Sequence, residues 1–131
     1  MTIGSTAPET FFGHMTSRPG PTRRPGVLAV CGDIDIANCG PFAQAVSEAL
    51  VRGVRTIDVG ELTFFGAAAA RALQNALQAI QHSGEVVTLD RVSSTVRLVL
   101  DVCGVADDPK VRIVEKDGQP QRRRDWLGEY P

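Results

Sequence analysis

Aspartates and thiols are the residues of this chain whose types and spacing first invite a chemical reading. Asp33 and Asp35 stand two apart in Gly32-Asp33-Ile34-Asp35. A pair at that spacing can hold a cation or divide acid and base roles. The full Asp-x-Asp-x-Asp-Gly calcium loop is absent, and turn and helix-cap chemistry explains the pair better. Asp58 closes a strand-like run and is expected to brace the turn that follows it. Cys31, Cys39 and Cys103 lack zinc spacing, and neither His14 nor His82 completes a cluster. No metal site is expected. The cysteines read as small buried hydrophobes. A sharper alternative is a thiol switch, because Cys31 and Cys39 flank the Gly32–Asp35 loop. The only lysines, Lys110 and Lys116, lie far from any Gly-rich loop, which excludes a Gly-Lys-Ser/Thr phosphate loop. No Gly-x-Ser-x-Gly elbow occurs. The residues offer no catalytic constellation, and neither enzyme activity nor a cofactor is expected.

The elements that must position these residues turn on one stretch, Leu62-Thr63-Phe64-Phe65-Gly66-Ala67-Ala68-Ala69-Ala70-Arg71-Ala72-Leu73. An apolar segment ends at Phe65, one glycine follows, and small helix-favouring residues begin. That pattern reads as a chain leaving a sheet and starting a helix. Such a start exposes unpartnered N–H groups and partial positive charge. It is a common place for an anion or a phosphorylated residue. From Gly66 to Ala70 there is no Ser, Thr, Asp or Glu. One reading is an alanine-rich helix start and nothing more. The other is a docking surface with small side chains that let a partner approach closely.

Around this pivot the chain alternates strand and helix. Thr10 to Met15 is a candidate edge strand, paired with the next strand across a Pro-rich loop. Val27–Cys31 is a short apolar run bounded by glycines and reads as a buried strand. Phe42, Val46, Ala49 and Leu50 recur at helical spacing, predicting a helix from Cys39 or Pro41 to Val51. Val54–Val59 is the next strand. Ala69, Leu73, Ala76, Leu77 and Ile80 form the stripe of a second helix ending near Ser83-Gly84. Glu85–Leu89 is a strand, Ser93 or Ser94 caps a third helix, and Val111–Val114 is a last strand. This order predicts an α/β fold, a small open sheet of four or five strands with helices packed on it. The sheet is expected to be mostly parallel and mixed through its N-terminal strand.

The chain of 131 residues is one domain's worth. Its hydrophobic fraction of 43% suits a globular core, and aromatics at 5% leave that core to Val, Leu, Ile and Ala. Fourteen basic and 15 acidic residues give a formal net charge of -1. A broad nucleic-acid footprint is therefore not expected. Arg122-Arg123-Arg124 and Trp126 have Asp125 and Glu129 among them and read as a solvated tail. No uninterrupted apolar run is long enough for a membrane span. With no signal-peptide pattern and an odd number of cysteines, a cytoplasmic setting is expected.

Three segments resemble the STAS domain, the module of anti-sigma-factor antagonists and sulfate-transporter tails. Val30-Cys31-Gly32-Asp33-Ile34-Asp35 is similar to that family's strand ending in Gly-(Glu/Asp)-(Ile/Leu)-Asp. Ile57-Asp58-Val59 with Leu62-Thr63-Phe64-Phe65 is similar to its Asp-Leu-x-x-Leu-x-Phe-(Ile/Leu) segment. Leu89, followed by Val96-Arg97-Leu98-Val99-Leu100-Asp101-Val102-Cys103-Gly104-Val105, looks like its closing helix. The resemblance implies a STAS-like domain over 27–115; the Pro, Gly, Ser and Thr content of 1–26 predicts a flexible segment there, and 116–131, without periodicity, reads as a tail. It also implies a protein partner, an anti-sigma factor of the ATP-binding kinase type, and is compatible with a homodimer. The docking residues it implies are Asp33, Asp35, Phe65, Gly66, Ala67, Ala68, Ala69, Arg71 and Asn75. The departure lies at the pivot, where family members carry Asp-Ser-(Ser/Ala)-Gly-Leu. Gly66 stands at the Asp position and Ala67 at the serine that accepts phosphate. The resemblance thus implies an antagonist that is not switched by phosphorylation there. A structural STAS subunit of a signalling assembly or of a transporter ATPase complex is the alternative.

Overall fold

A computed structural model describes residues 9–15 and 24–116. The expectations of a flexible N-terminal segment and a solvated tail fall mainly on residues 1–8, 16–23 and 117–131, outside the described residues. The elements run β1 (Glu9–Phe12), β2 (Val27–Ile34), α1 (Cys39–Val51), β3 (Thr56–Phe65), α2 (Ala67–Ala76), β4 (Val87–Val92), α3 (Ser94–Val102) and β5 (Val111–Glu115). A 3-10 turn over Leu77–Ile80 prolongs α2, so the stripe read as one helix tightens in its last turn. Ser93 is the hydroxyl that caps α3, accepting from the Val96 N–H at 3.2 Å.

The sheet order is β1-β2-β3-β4-β5, and every pairing between these strands is parallel, while an isolated antiparallel bridge joins His14 to Asp33. Each crossover from β2 onward advances one strand in the same direction. Right-handed crossovers of that kind put every connecting helix on one face. Burial follows: Leu28, Val30, Ile57, Val59, Val87 and Leu89 face one core together with Phe42 and Val46 of α1, Leu73 of α2 and Leu100 of α3. The rings of Phe11, Phe42 and Phe65 meet in a row, with centroids 6.0 and 6.1 Å apart.

Two differences from the sequence reading bear on the site. The mixed sense expected from the N-terminal strand is not found: β1 runs parallel to β2, from Glu9 beside Leu28 to Phe12 beside Cys31. The chain between Phe12 and Val27 is long enough for the crossover a parallel pair requires, about a dozen residues. β2 and β3 are also longer than expected. The Gly-Asp-Ile segment stays in β2, and the segment expected to join β3 to the pivot is strand as far as Phe65. Two bulges in β3 permit this, one between Asp58 and Glu61 and one between Leu62 and Phe64. Bulges turn a strand and re-aim its side chains.

A candidate protein-docking edge

Because the strands are parallel, their C-terminal ends share one edge of the sheet. There Ile34 pairs with Phe65, and the Gly66 N–H donates to the Ile34 carbonyl at 3.3 Å. This contact seats the start of α2 against the end of β2. The loop after β2 is tied down by its own polar groups. The Asp35 N–H donates to the Asn38 side-chain oxygen at 2.8 Å, and the Asn38 amide donates to the Asp33 carbonyl at 2.9 Å. The Asp35 carboxylate accepts from the Ala37 N–H at 2.9 Å, and the Thr63 hydroxyl donates to the Asp33 carboxylate. Asp33 and Asp35 therefore serve the turn. Among the described residues, no group of three His, Cys, Asp or Glu is placed to hold a metal ion.

The structure divides the expected docking residues into two layers. Ala67, Arg71 and Asn75 are exposed and follow one stripe of α2 at the four-residue spacing of neighbours on a helix. Asp33, Asp35, Gly66 and Ala68 are half-buried beside them. Phe65, only 5% exposed, and Ala69, fully buried, instead face the core and support the surface from beneath. Sequence reasoning missed two residues of the outer layer, Ile36 at 81% and Phe64 at 53% exposure. Alternation along β3 was the available signal for Phe64, since Phe65 turned inward implies Phe64 turned outward. The Phe64 ring lies over Gly66, where a Cβ would stand 3.0 and 3.2 Å from two ring carbons. A side chain at position 66 would displace that ring. Gly66 makes no side-chain cap, so the first turn of α2 presents backbone and methyl groups only.

Behind this edge, on the face without core helices, lies an ion cluster. Asp58 is 2% exposed and is held by Arg91 at 3.0 Å and Arg24 at 3.3 Å. Its carboxylate also accepts from the Gly60 N–H at 2.9 Å, the brace expected of it. Arg24 continues to Asp90 at 2.8 Å and Arg91 to Glu61 at 3.5 Å. Arg91 has a φ of 55°, and its guanidinium fills the space a Cβ at Gly60 would occupy. The bond to Asp58 is the main cause holding the Arg91 pKa above its ordinary value. No local pattern marks Arg24 or Arg91, because the folded sheet alone brings them to Asp58.

The candidate redox pair is divided by the sheet. Cys31 is buried on the Asp58 side, where burial first, then the charges of Glu61 and Asp58, push its thiol pKa up against the opposing pull of Arg91. Cys39 opens α1 and packs against the core on the helix side. Both thiols are free.

Among the described residues no helix is long and apolar enough to cross a membrane. No match is found among curated proteins. Residues 18–115, well over half of the chain, match the family described as "Mlab, STAS domain". With its one-way parallel sheet and its three helices, the chain belongs to the STAS-domain family.

Proposed function

We propose that the chain is a regulatory protein-binding domain whose C-terminal strand edge docks a partner with no phosphorylation at the first turn of α2. The observation that carries this reading is the exposure of Ile36 and Phe64 beside Ala67. Neither hydroxyl nor charge occurs from Phe64 to Ala70. Exposed aromatic and branched apolar groups beside small ones fit a surface that gains energy by exclusion of water. Topology favours binding over catalysis. In open α/β sheets ligand crevices form where the strand order reverses, and this order never reverses. The family resemblance supplies the class of partner, an anti-sigma factor of the ATP-binding kinase type. Sequestering it would free a sigma factor. Ala67 lacks the oxygen that a phosphoryl group requires, so release depends on something other than modification at that position.

The test is capture from the native host with wild type and with Ala67→Glu, the bound proteins being identified by mass spectrometry. Glutamate puts a negative charge where a phosphate would stand, against an apolar contact. An ATP-binding anti-sigma-like protein that binds wild type and is lost with Ala67→Glu supports the reading. The same partners on both forms would contradict it and favour a structural subunit of a larger assembly.

A further inference from the structure

Arg71 is the one charge on the exposed stripe of α2. It is the only Asp, Glu, Lys or Arg between Glu61 and Glu85. It stands exposed one turn beyond Ala67, with Asn75 one turn further on. Arg24, Arg52, Arg55, Arg91 and Arg97 each pair with a carboxylate. Among the described residues Arg71 meets none, and neither does Arg112, midway along β5. The helix neighbours of Arg71 at three and four residues are Ala67, Ala68, Gln74 and Asn75, so no carboxylate of α2 stands beside it. The carboxylates of the strand edge have other work. Asp33 accepts from the Thr63 hydroxyl, Asp35 from the Ala37 N–H, and Glu61 faces Arg91 at 3.5 Å.

The position of this charge limits what can dock. A partner that covers Ile36, Phe64 and Ala67 takes water from the same stripe on which Arg71 stands. Removing water from a guanidinium is costly unless an opposite charge and new hydrogen bonds replace it. The described residues supply neither at Arg71. A carboxylate meets a guanidinium with two parallel hydrogen bonds, the strongest pairing of this kind. We propose that the partner presents an aspartate or glutamate to Arg71, with its apolar residues on Ile36, Phe64 and Ala67 beside that contact. This inference rests on the docking reading above and names the chemistry of the partner's surface. It also gives Ala67→Glu a specific action. A glutamate four residues before an arginine has the favoured orientation for a pair along the helix, so it takes the charge that the partner needs.

The test uses the proteins captured by the wild-type chain. Arg71 is exposed and makes no ion pair among the described residues, so its variants keep the fold. Recovery is compared for Arg71→Glu, Arg112→Glu and Ile36→Asp. An acidic contact predicts a loss of more than about tenfold with Arg71→Glu and unchanged recovery with Arg112→Glu. Arg71→Lys keeps the charge and adds an amine. A water-soluble carbodiimide joins an amine to a carboxylate with loss of water, and on the captured complex it should link position 71 to an Asp or Glu of the partner, located by mass spectrometry. Recovery that survives Arg71→Glu overturns the inference, as does an equal loss with Arg112→Glu or a captured Arg71→Lys complex without that link. Ile36→Asp separates the two readings. A partner lost with Ile36→Asp but kept with Arg71→Glu removes the carboxylate contact and leaves the docking reading standing. A partner kept with Ile36→Asp removes the docking reading itself.

Discussion

Replacing Asp58 with alanine tests whether the ion cluster behind the proposed docking edge holds β3 in place. The carboxylate is buried, accepts from the Gly60 N–H at 2.9 Å and pairs with two guanidinium groups. Breaking a buried pair costs about 3–5 kcal/mol when it strands a charge. Here neither arginine is fully stranded. Arg24 keeps Asp90 at 2.8 Å and Arg91 keeps Glu61 at 3.5 Å, and both reach solvent. The charge-assisted bond to the Gly60 N–H is lost outright, at about 1.5–3 kcal/mol. The expected loss for Asp58→Ala is therefore about 2–3 kcal/mol. Urea unfolding followed by far-UV circular dichroism measures it as a lower midpoint at an unchanged slope. Glu61→Gln is the control, since Glu61 is exposed and its ion pair is long, and it should cost less than about 1 kcal/mol. An Asp58→Ala protein within about 0.5 kcal/mol of wild type, or equal losses for the two variants, would refute the reasoning.

Three further outcomes follow from local chemistry. Arg91→Ala and Arg91→Gly both delete the guanidinium, but only alanine strains the left-handed backbone at φ 55°. The alanine variant should be less stable by about 1 kcal/mol, and equal urea midpoints would count against the strain. Ser93→Ala removes the α3 cap and should cost about 1 kcal/mol, while Ser94→Ala should cost far less; the reverse order would reassign the cap. Cys31 has its folded thiol pKa raised, so its contribution to stability is complete below the unfolded pKa, about 8.5. That contribution declines as pH rises from there through the folded value. Cys31→Ala should flatten the fall in midpoint above pH ~8.5, and Cys31 should react with a thiol reagent more slowly than Cys39. A wild-type fall unchanged by Cys31→Ala would remove this assignment.

Local patterns made the elements legible and left the tertiary pairings unread. The recurrence of Phe42, Val46 and Leu50 fixed α1, and alternating strands and helices fixed the α/β class, because those signals are written in neighbouring residues. The sense of β1 was not legible, since a Pro-rich connection serves a hairpin or a crossover alike. The length of β2 was hidden by Gly32, which opens a segment that reads as a turn, and that of β3 by the end of the apolar run at Val59; both strands instead continue past these points with an irregular register. The proposed docking edge was half legible. The pivot and its missing hydroxyl stood in the sequence, but which of Phe64 and Phe65 faces outward depends on the strand reaching Phe65. Ile36 carries no pattern at all, and its exposure emerges only once Ile34 is seen to fill the core. The Cys31–Cys39 proximity inferred from flanking positions failed to anticipate the sheet between them.

The most direct measurement compares two exposed apolar residues on different sides of the molecule. Ile36 lies on the proposed docking edge and Leu98 on the outer side of α3, and neither supports the core. Proteins captured by wild type are identified first, and their recovery is then quantified with Ile36→Asp and with Leu98→Asp. Docking at the strand edge predicts that recovery collapses with Ile36→Asp and persists with Leu98→Asp. Recovery that persists with Ile36→Asp and collapses with Leu98→Asp would place the interface on α3 and contradict the docking edge.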